Sequence, residues 1–274
     1  MAMTAAGGVA EALEAATDAL AAAGVEAPRL DAELLLCEAT GRDRAELAAA
    51  PGEGVDPRAG RRFGEMVRRR LRREPLAYIV GRKGFRRLEL AADRRALIPR
   101  PETELLVEVA KELEPGRVLD VGTGSGAVAL AIADELPGCR VTAMDTSPAA
   151  LELARENALR TGLAGRVTLG AGSVPAGEEF DLVVANLPYV AEPEWPGLAP
   201  EITRWEPREA LLAGPDGLDA FRAVIPAVEA PALALEIGAS QAGAVGDLLA
   251  EAGFGRVEVR RDLSGLDRVL VGHR

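Results

Sequence analysis

A chain of 274 residues that is 48% hydrophobic can bury a substantial core and has room for two domains. With aromatics at only 3%, that core has to be assembled from Leu, Val, Ile and Ala, which suits Ala- and Leu-rich helices packed on Val-rich strands. A formal net charge of -11 disfavours a nucleic-acid substrate, because phosphate binding relies on Lys and Arg, and a single histidine, His273, excludes His-based metal sites and Ser-His-Asp catalysis.

Taken in chain order, the first part reads as a small all-helical domain. Helices are expected over 9–23, 28–39, 43–49 and 57–73, each starting near Pro or Asp and most stopping at Gly or Pro. Glu11, Glu14 and Asp18 interrupt the first apolar residues at helical spacing, so neither a signal peptide nor a membrane span is expected. Around Gly81 and Gly84 the pattern turns to short β-type pieces, 77–80 and 85–90, read as a β-hairpin linker. Cys37 and Cys139 have no partner at metal or disulfide spacing and read as reduced thiols of a cytoplasmic protein.

From residue 117 onward apolar strands alternate with amphipathic helices: strands at 118–121, 140–144, 167–169, 182–185, 232–237, 256–260 and 268–271, and helices at 126–136, 148–161 and 241–252. Strands and helices in this rhythm form a doubly wound, largely parallel seven-stranded α/β sheet, its last two strands antiparallel because their connection is short. The expected division is 1–75 helical, 76–96 hairpin linker and 97–274 sheet domain.

Two sites stand out. After the strand at 118–121, Gly122, Thr123, Gly124, Ser125 and Gly126 open directly into a helix. Such glycines allow a sharp turn and close approach to a ligand, and the helix N-terminus offers free N–H groups. Asp145 closes the next strand, nineteen positions after Gly126, where a carboxylate can accept both hydroxyls of a ribose. Together they describe a nucleoside cofactor; a helix-start turn with an N-cap Asp is the alternative. The strand at 182–185 then ends in Asn186, Leu187, Pro188 and Tyr189. An Asn side-chain oxygen and the carbonyl of Leu187 can accept both hydrogens of a planar NH2 group, with Tyr189 stacking on the same group. An amide nitrogen is a poor nucleophile, so orientation has to supply much of the acceleration.

These residues, with Ile98-Pro99-Arg100-Pro101-Glu102-Thr103-Glu104, Trp205-Glu206-Pro207-Arg208-Glu209-Ala210-Leu211, Glu236-Ile237-Gly238 and Asp267-Arg268-Val269, closely resemble the bacterial peptide chain release factor N5-glutamine methyltransferases. The likeness spans nearly the whole chain. It implies a class I S-adenosylmethionine-dependent methyltransferase domain behind a helical domain that helps hold the release factor. The target would be the glutamine of the release factor's Gly-Gly-Gln loop, methylated by a cytoplasmic monomer with no membrane or nucleic-acid partner. By this resemblance Gly122 to Gly126, Asp145 and Asn186 hold S-adenosyl-L-methionine, and Asn186 to Tyr189 hold the glutamine amide. The family usually has Asn-Pro-Pro-Tyr, so Leu187 replaces a rigid proline. Where the family places an acidic and then a bulky residue near the adenine, this chain has Ser173 and Val174 after Gly172. Related readings remain: a glutamine methyltransferase acting on a ribosomal protein, a DNA adenine N6-methyltransferase, or a cofactor-binding interaction protein without catalysis.

Pro101-Glu102-Thr103-Glu104 reads either as a helix start, with Pro first and carboxylates in the first turn, or as an element lining the site. Residues 61–95 hold thirteen Lys or Arg against four Asp or Glu, a local balance of +9 that reads either as a solvated face or as a contact for a release factor or ribosomal RNA.

Overall fold

The computed structural model describes residues 8–274, which fall into two compact units, 8–81 with 199–205, and 82–198 with 206–274.

The first unit is helical: α1 (Val9–Ala22), α2 (Pro28–Thr40), α3 (Arg44–Ala49), α4 (Pro57–Leu71) and α5 (Leu76–Val80). Leu13, Ala16 and Leu20 recur every three or four residues on α1 and meet Leu35, Leu36, Phe63 and Val67 in one apolar core. Local chemistry fixes the helix ends. Asp43 Oδ1 accepts from Glu46 N at 2.8 Å while Glu46 Oε2 accepts from Asp43 N at 2.8 Å, a capping box. Asp56 Oδ1 accepts from Arg58 N and Ala59 N ahead of Pro57.

Residues 77–80, expected as a strand, are instead the helix α5. Its β-branched Ile79 and Val80 misled the reading, but Gly81, at φ 79°, donates its N–H to Ala77 O and closes a helical turn, and Ile79 is buried in the helical core.

Most of the arginines in 61–73 are engaged structurally. Arg62 pairs with Glu38 and Arg69 with Glu74. The buried Arg70 donates to Asp31 Oδ2 and to Glu201 Oε1, both at 2.7 Å, and Arg73 grips both oxygens of Glu201 at 2.6 and 2.7 Å. Bidentate pairing of this kind matches the planar guanidinium fork, and it explains why the chain returns at 199–205 to complete this unit. Sequence patterning held no sign of that return.

The second unit begins with the hairpin β1 (Arg82–Phe85) and β2 (Leu88–Ala91), followed by α6 (Glu104–Leu113), β3 (Arg117–Val121), α7 (Ala127–Glu135), β4 (Arg140–Asp145), α8 (Pro148–Arg160), β5 (Val167–Ala171) and β6 (Leu182–Ala185). After the short α9 (Pro200–Trp205) of the first unit come α10 (Asp219–Val224), β7 (Ala232–Glu236), α11 (Ala242–Glu251), β8 (Arg256–Arg261) and β9 (Asp267–His273). The sheet order is β5-β4-β3-β6-β7-β9-β8, with β9 antiparallel to both neighbours and the remaining pairs parallel. This is the seven-stranded doubly wound architecture expected from the strand and helix rhythm.

Strand alternation divides the core between the two faces. Val118, Leu182 and Val184 join α6, α7 and α8 in one cluster, while Leu119, Val121, Val183 and Ala185 join α10 and α11 in the other. Full burial of such a side chain contributes about 1.5–3 kcal/mol. The chain winds outward from β3 to β5 and then returns to β6 on the other side of β3. That reversal opens a crevice at the carboxyl ends of β3 and β6, where doubly wound sheets bind ligands.

Candidate active site

At that crevice lies a cavity of about 410 Å³, walled by the loops after β3, β4, β5 and β6, within the size range of small-molecule sites. Gly122, Thr123, Gly124, Ser125, Asp145, Ser173, Asn186, Leu187 and Pro188 all line it. Two residues of the glycine loop have φ of 74° (Gly122) and 57° (Gly124), a left-handed backbone that side chains resist. The loop is held down by Gly122 N and Thr123 N, which donate to Met144 O at 2.9 and 3.0 Å.

Asp145 is shared between two backbone donors: Gly124 N reaches Oδ2 and Ser147 N reaches Oδ1, each at 2.8 Å. A carboxylate has about four lone-pair sites, so each oxygen keeps capacity for a ligand hydroxyl while the backbone fixes its orientation.

Three expected site residues stand elsewhere. Gly126 is absent from the wall; at φ 84° its α-carbon faces α8, and a Cβ there would meet Leu130 Cδ1 at 3.2 Å and Ala154 Cβ at 3.3 Å. It serves the packing of α7 on α8 and touches no part of the cavity. Val174 turns into the core cluster beside α10 and α11, as an aliphatic side chain next to a polar loop is driven to do, leaving Gly172 and Ser173 on the wall. Tyr189 also packs on that cluster, its hydroxyl donating to Glu236 Oε1 at 3.4 Å, so its ring is not part of the cavity wall. Burial first, and then the Glu236 charge, pushes the Tyr189 phenol up to about 12.

Leu187 stands where the family usually has a rigid proline. It is buried against the same core cluster, and a Cβ on Gly122 would lie 3.6 Å from its Cδ2, so packing rather than ring rigidity fixes this turn.

Other contributors were not picked out from the sequence as site elements. Asn157 of α8, with 0% exposure, accepts from Ala91 N at 2.6 Å and donates to Ala91 O and Ser125 O, tying the hairpin's end to the glycine loop. Glu206 accepts from Ile98 N at 3.1 Å and pairs with Arg100, which joins the two motifs that carried the family resemblance. Thr103, Ala220, Ala223 and Val224 also line the wall. Of these, Thr103 and Glu206 lay within motifs of the family resemblance, whereas Asn157, Ala220, Ala223 and Val224 carried no signal.

One carboxyl of the cavity wall, that of Asp120, sits almost wholly out of water. Asp120 accepts from Thr123 Oγ1 at 2.6 Å and Ala129 N at 3.2 Å, both on Oδ2. Burial raises it to about 7 against these two hydrogen bonds, and the nearby Asp145 charge adds to the rise. A carboxyl raised in the folded state binds its proton more tightly there than in the unfolded chain. Its contribution to stability is therefore fully present below about pH 4 and is lost as pH rises through about 7. Asp120→Asn, whose amide oxygen can accept both bonds, is expected to be more stable than the native protein at pH 8 and to converge with it near pH 4. Urea denaturation at both pH values checks this; equal stability at pH 8 would refute the burial argument.

Among the described residues no helix is long and apolar enough to cross a membrane, and no cluster of His, Cys, Asp or Glu could hold a metal ion.

Residues 11–81 match the family model described as PrmC N-terminal domain, and residues 101–200 match the methyltransferase small domain. The release factor glutamine methyltransferase of Moorella thermoacetica is 44% identical over 277 aligned positions, covering 96% of this chain and 98% of that one. This chain belongs to the release factor glutamine methyltransferase family. The enzyme of the same name from Cereibacter sphaeroides is 43% identical, covering 95% of this chain and 96% of that one. Among solved structures, the hMettl16 catalytic domain in complex with a MAT2A 3'UTR hairpin superposes with a TM-score of 0.56 at 14% identity, over 68% of this chain and 75% of that one. That likeness extends to the methyltransferase fold alone. Family membership makes the chain an enzyme.

Proposed function

We propose that this enzyme moves a methyl group from S-adenosylmethionine to the side-chain amide nitrogen of a glutamine in a peptide chain release factor, at its Gly-Gly-Gln loop. It would act as a cytoplasmic monomer, with S-adenosylmethionine held by Gly122 to Ser125, Asp145 and Ser173. The residues present fit that cofactor: a left-handed glycine cradle, a pre-oriented carboxylate for a ribose, and a wall rich in small apolar side chains. When bound, S-adenosylmethionine would supply a methyl activated by cationic sulfur, to be taken by the amide nitrogen in exchange for one proton lost to solvent, with a neutral thioether as the other product.

The observation that carries the reading is the orientation of Asn186. Its Nδ2 donates to Thr103 Oγ1 at 3.0 Å, which leaves Oδ1 as an acceptor on the cavity wall. An acceptor there suits a substrate NH2 group. Oδ1 and the Leu187 carbonyl would take one N–H each, holding the nitrogen face toward the methyl. As positive charge develops on nitrogen, both bonds strengthen, so they favour the transition state over the ground state.

The direct test is transfer from labelled S-adenosylmethionine to purified release factor, with mass spectrometry locating the label and a Gln-to-Ala variant of the Gly-Gly-Gln loop as control. Label on that glutamine is expected. Label appearing only on ribosomal protein or DNA would keep the methyltransferase and overturn the substrate. Asp145→Ala is expected to weaken S-adenosylmethionine binding by roughly 10- to 100-fold, the scale of losing ~1.5–3 kcal/mol of hydrogen bonding to a charged group. An unchanged dissociation constant by calorimetry would move the ribose elsewhere.

A further inference from the structure

Residues 92–100, the strap that follows the hairpin, form neither helix nor strand, yet residues 95–100 all line the cavity. A segment without a ladder of its own is placed by its tethers, because its backbone groups must find partners elsewhere. At one end Glu206 accepts from Ile98 N and pairs with Arg100. Midway, Arg95 pairs with Asp93 and with Glu156 of α8. At the other end Asn157 grips both backbone groups of Ala91. Ala96 packs with Ala91, Ala150 and Leu153, and a Cβ on Gly124 would stand 3.9 Å from its Cβ, so the strap lies against the glycine loop.

Asn157 differs from the other tethers in reaching both of these walls. Its Oδ1 accepts from Ala91 N at 2.6 Å, while its Nδ2 donates to Ala91 O at 3.2 Å and to Ser125 O at 2.9 Å. Ser125 belongs to the glycine loop and lines the cavity. Backbone partners settle which end of the amide is which, since the Ala91 N–H has to meet an oxygen and the two carbonyls have to meet N–H groups. The loop's bonds to Met144 O and Asp145 run to β4, so the Asn157 amide supplies a link from loop to strap that they do not. Asparagine is a poor helix former, and these bonds account for its place inside α8 at 0% exposure.

We propose that Asn157 is a positioning residue for the cofactor: by fixing the strap against the glycine loop it sets the shape of the S-adenosylmethionine site, and its loss costs cofactor affinity rather than release factor affinity. The inference rests on the cofactor reading above. Two walls held in place before a ligand arrives bind it more tightly than walls that must be ordered on binding, because the cost of ordering is subtracted from affinity. Coupling of this kind is reciprocal. A ligand that settles the loop is therefore felt at Ala91, which does not itself line the cavity.

The experiment titrates S-adenosylmethionine by calorimetry into the native chain, Asn157→Ala and Asn157→Asp, with urea denaturation to confirm that each is folded at the assay temperature. Alanine removes every side-chain bond of Asn157; aspartate keeps the acceptor for Ala91 N but turns lone pairs toward two carbonyls. Both should raise the dissociation constant by about 10-fold or more, the scale of leaving buried polar groups unpaired. Values of kcat at saturating cofactor and of KM for release factor should stay near native. Native cofactor affinity in a folded variant, or kcat lost with affinity intact, would overturn the proposal. Hydrogen exchange reads the link in the native protein, whatever the stability of the variants: saturating S-adenosylmethionine should slow the Ala91 N–H, and a rate indifferent to cofactor would refute the coupling. Should the native chain bind no S-adenosylmethionine, the cofactor reading falls instead, and exchange in the free protein still decides the link. There the Gly124 and Gly126 amides should exchange faster in Asn157→Ala relative to those of β7, and unchanged rates would show that Asn157 does not hold the loop.

Discussion

Asn186→Ala is expected to lower turnover by about 10²- to 10³-fold, the loss seen when one pre-set hydrogen-bonding group facing a transition state is removed. Cofactor affinity should change little, because the glycine loop and Asp145 hold their geometry through backbone bonds to Met144, Gly124 and Ser147 that do not pass through Asn186. The size of the effect follows from the chemistry of the nucleophile. An amide lone pair is delocalised into its carbonyl and attacks only when the nitrogen is held face-on to the methyl; alignment of that kind is worth roughly 7–11 kcal/mol in all. In the proposed mechanism Asn186 supplies one of the two acceptors that fix the NH2 plane, and the bond it makes strengthens as the nitrogen becomes positive. Single-turnover transfer from labelled cofactor gives the chemical step and calorimetry gives the affinity. Native turnover in the variant would remove Asn186 from the mechanism, whereas lost affinity would make it a cofactor residue first.

The parts of this site that sequence disclosed are those whose chemistry is local. The Gly122 to Ser125 loop and Asn186 to Pro188 follow directly on strands and Asp145 ends one, and a strand's end fixes where the next few residues lie. The parts it withheld join distant positions. Asn157 reaches Ala91 across 66 residues and Glu206 reaches Ile98 across 108, and pairings of that range leave no periodic trace in a single sequence. Length also mattered: α9 and α10 have six residues each, too few for a helical period to register. Within the loops, type alone did not decide direction. Gly126 has the left-handed backbone of its neighbours yet faces α8, and Tyr189 follows Pro188 yet turns its ring to the core because its hydroxyl finds Glu236 there. Thr103 was visible as part of a motif, but its helix-start setting offered an equally good local reason for the same residues.

Gly217→Ala is expected to destabilise the second unit by roughly 2–5 kcal/mol and to lower turnover without touching any cavity residue. Gly217 has φ 75°, and a side chain in left-handed backbone costs roughly 1–2 kcal/mol. A Cβ there would stand 2.4 Å from Tyr189 O, 2.9 Å from Gln241 Nε2 and 3.1 Å from Ala191 N, and overpacking of this sort adds about 1–3 kcal/mol. The nearest clashing atom is backbone and has no rotamer by which to escape, so the chain at Tyr189 itself must move. Gln241 now donates from Nε2 to Tyr189 O at 3.0 Å and to Gly217 O at 3.3 Å, while its Oε1 accepts from Gly238 N at 2.9 Å. One half-buried amide thus pins the turn that leaves the site to the end of β7. Displacing Tyr189 loosens that pin three residues from Asn186, and a shift of ~1 Å in a positioning group is enough to cost about 100-fold in rate. Gln241→Ala separates the two causes, since it removes the same hydrogen bonds without the steric overlap and should cost less stability. Hydrogen exchange of the β3, β6 and β7 amides gives the opening energy of the core in each variant. Native exchange and native turnover in Gly217→Ala would show that the loop has room to yield and that its geometry is not set by this contact.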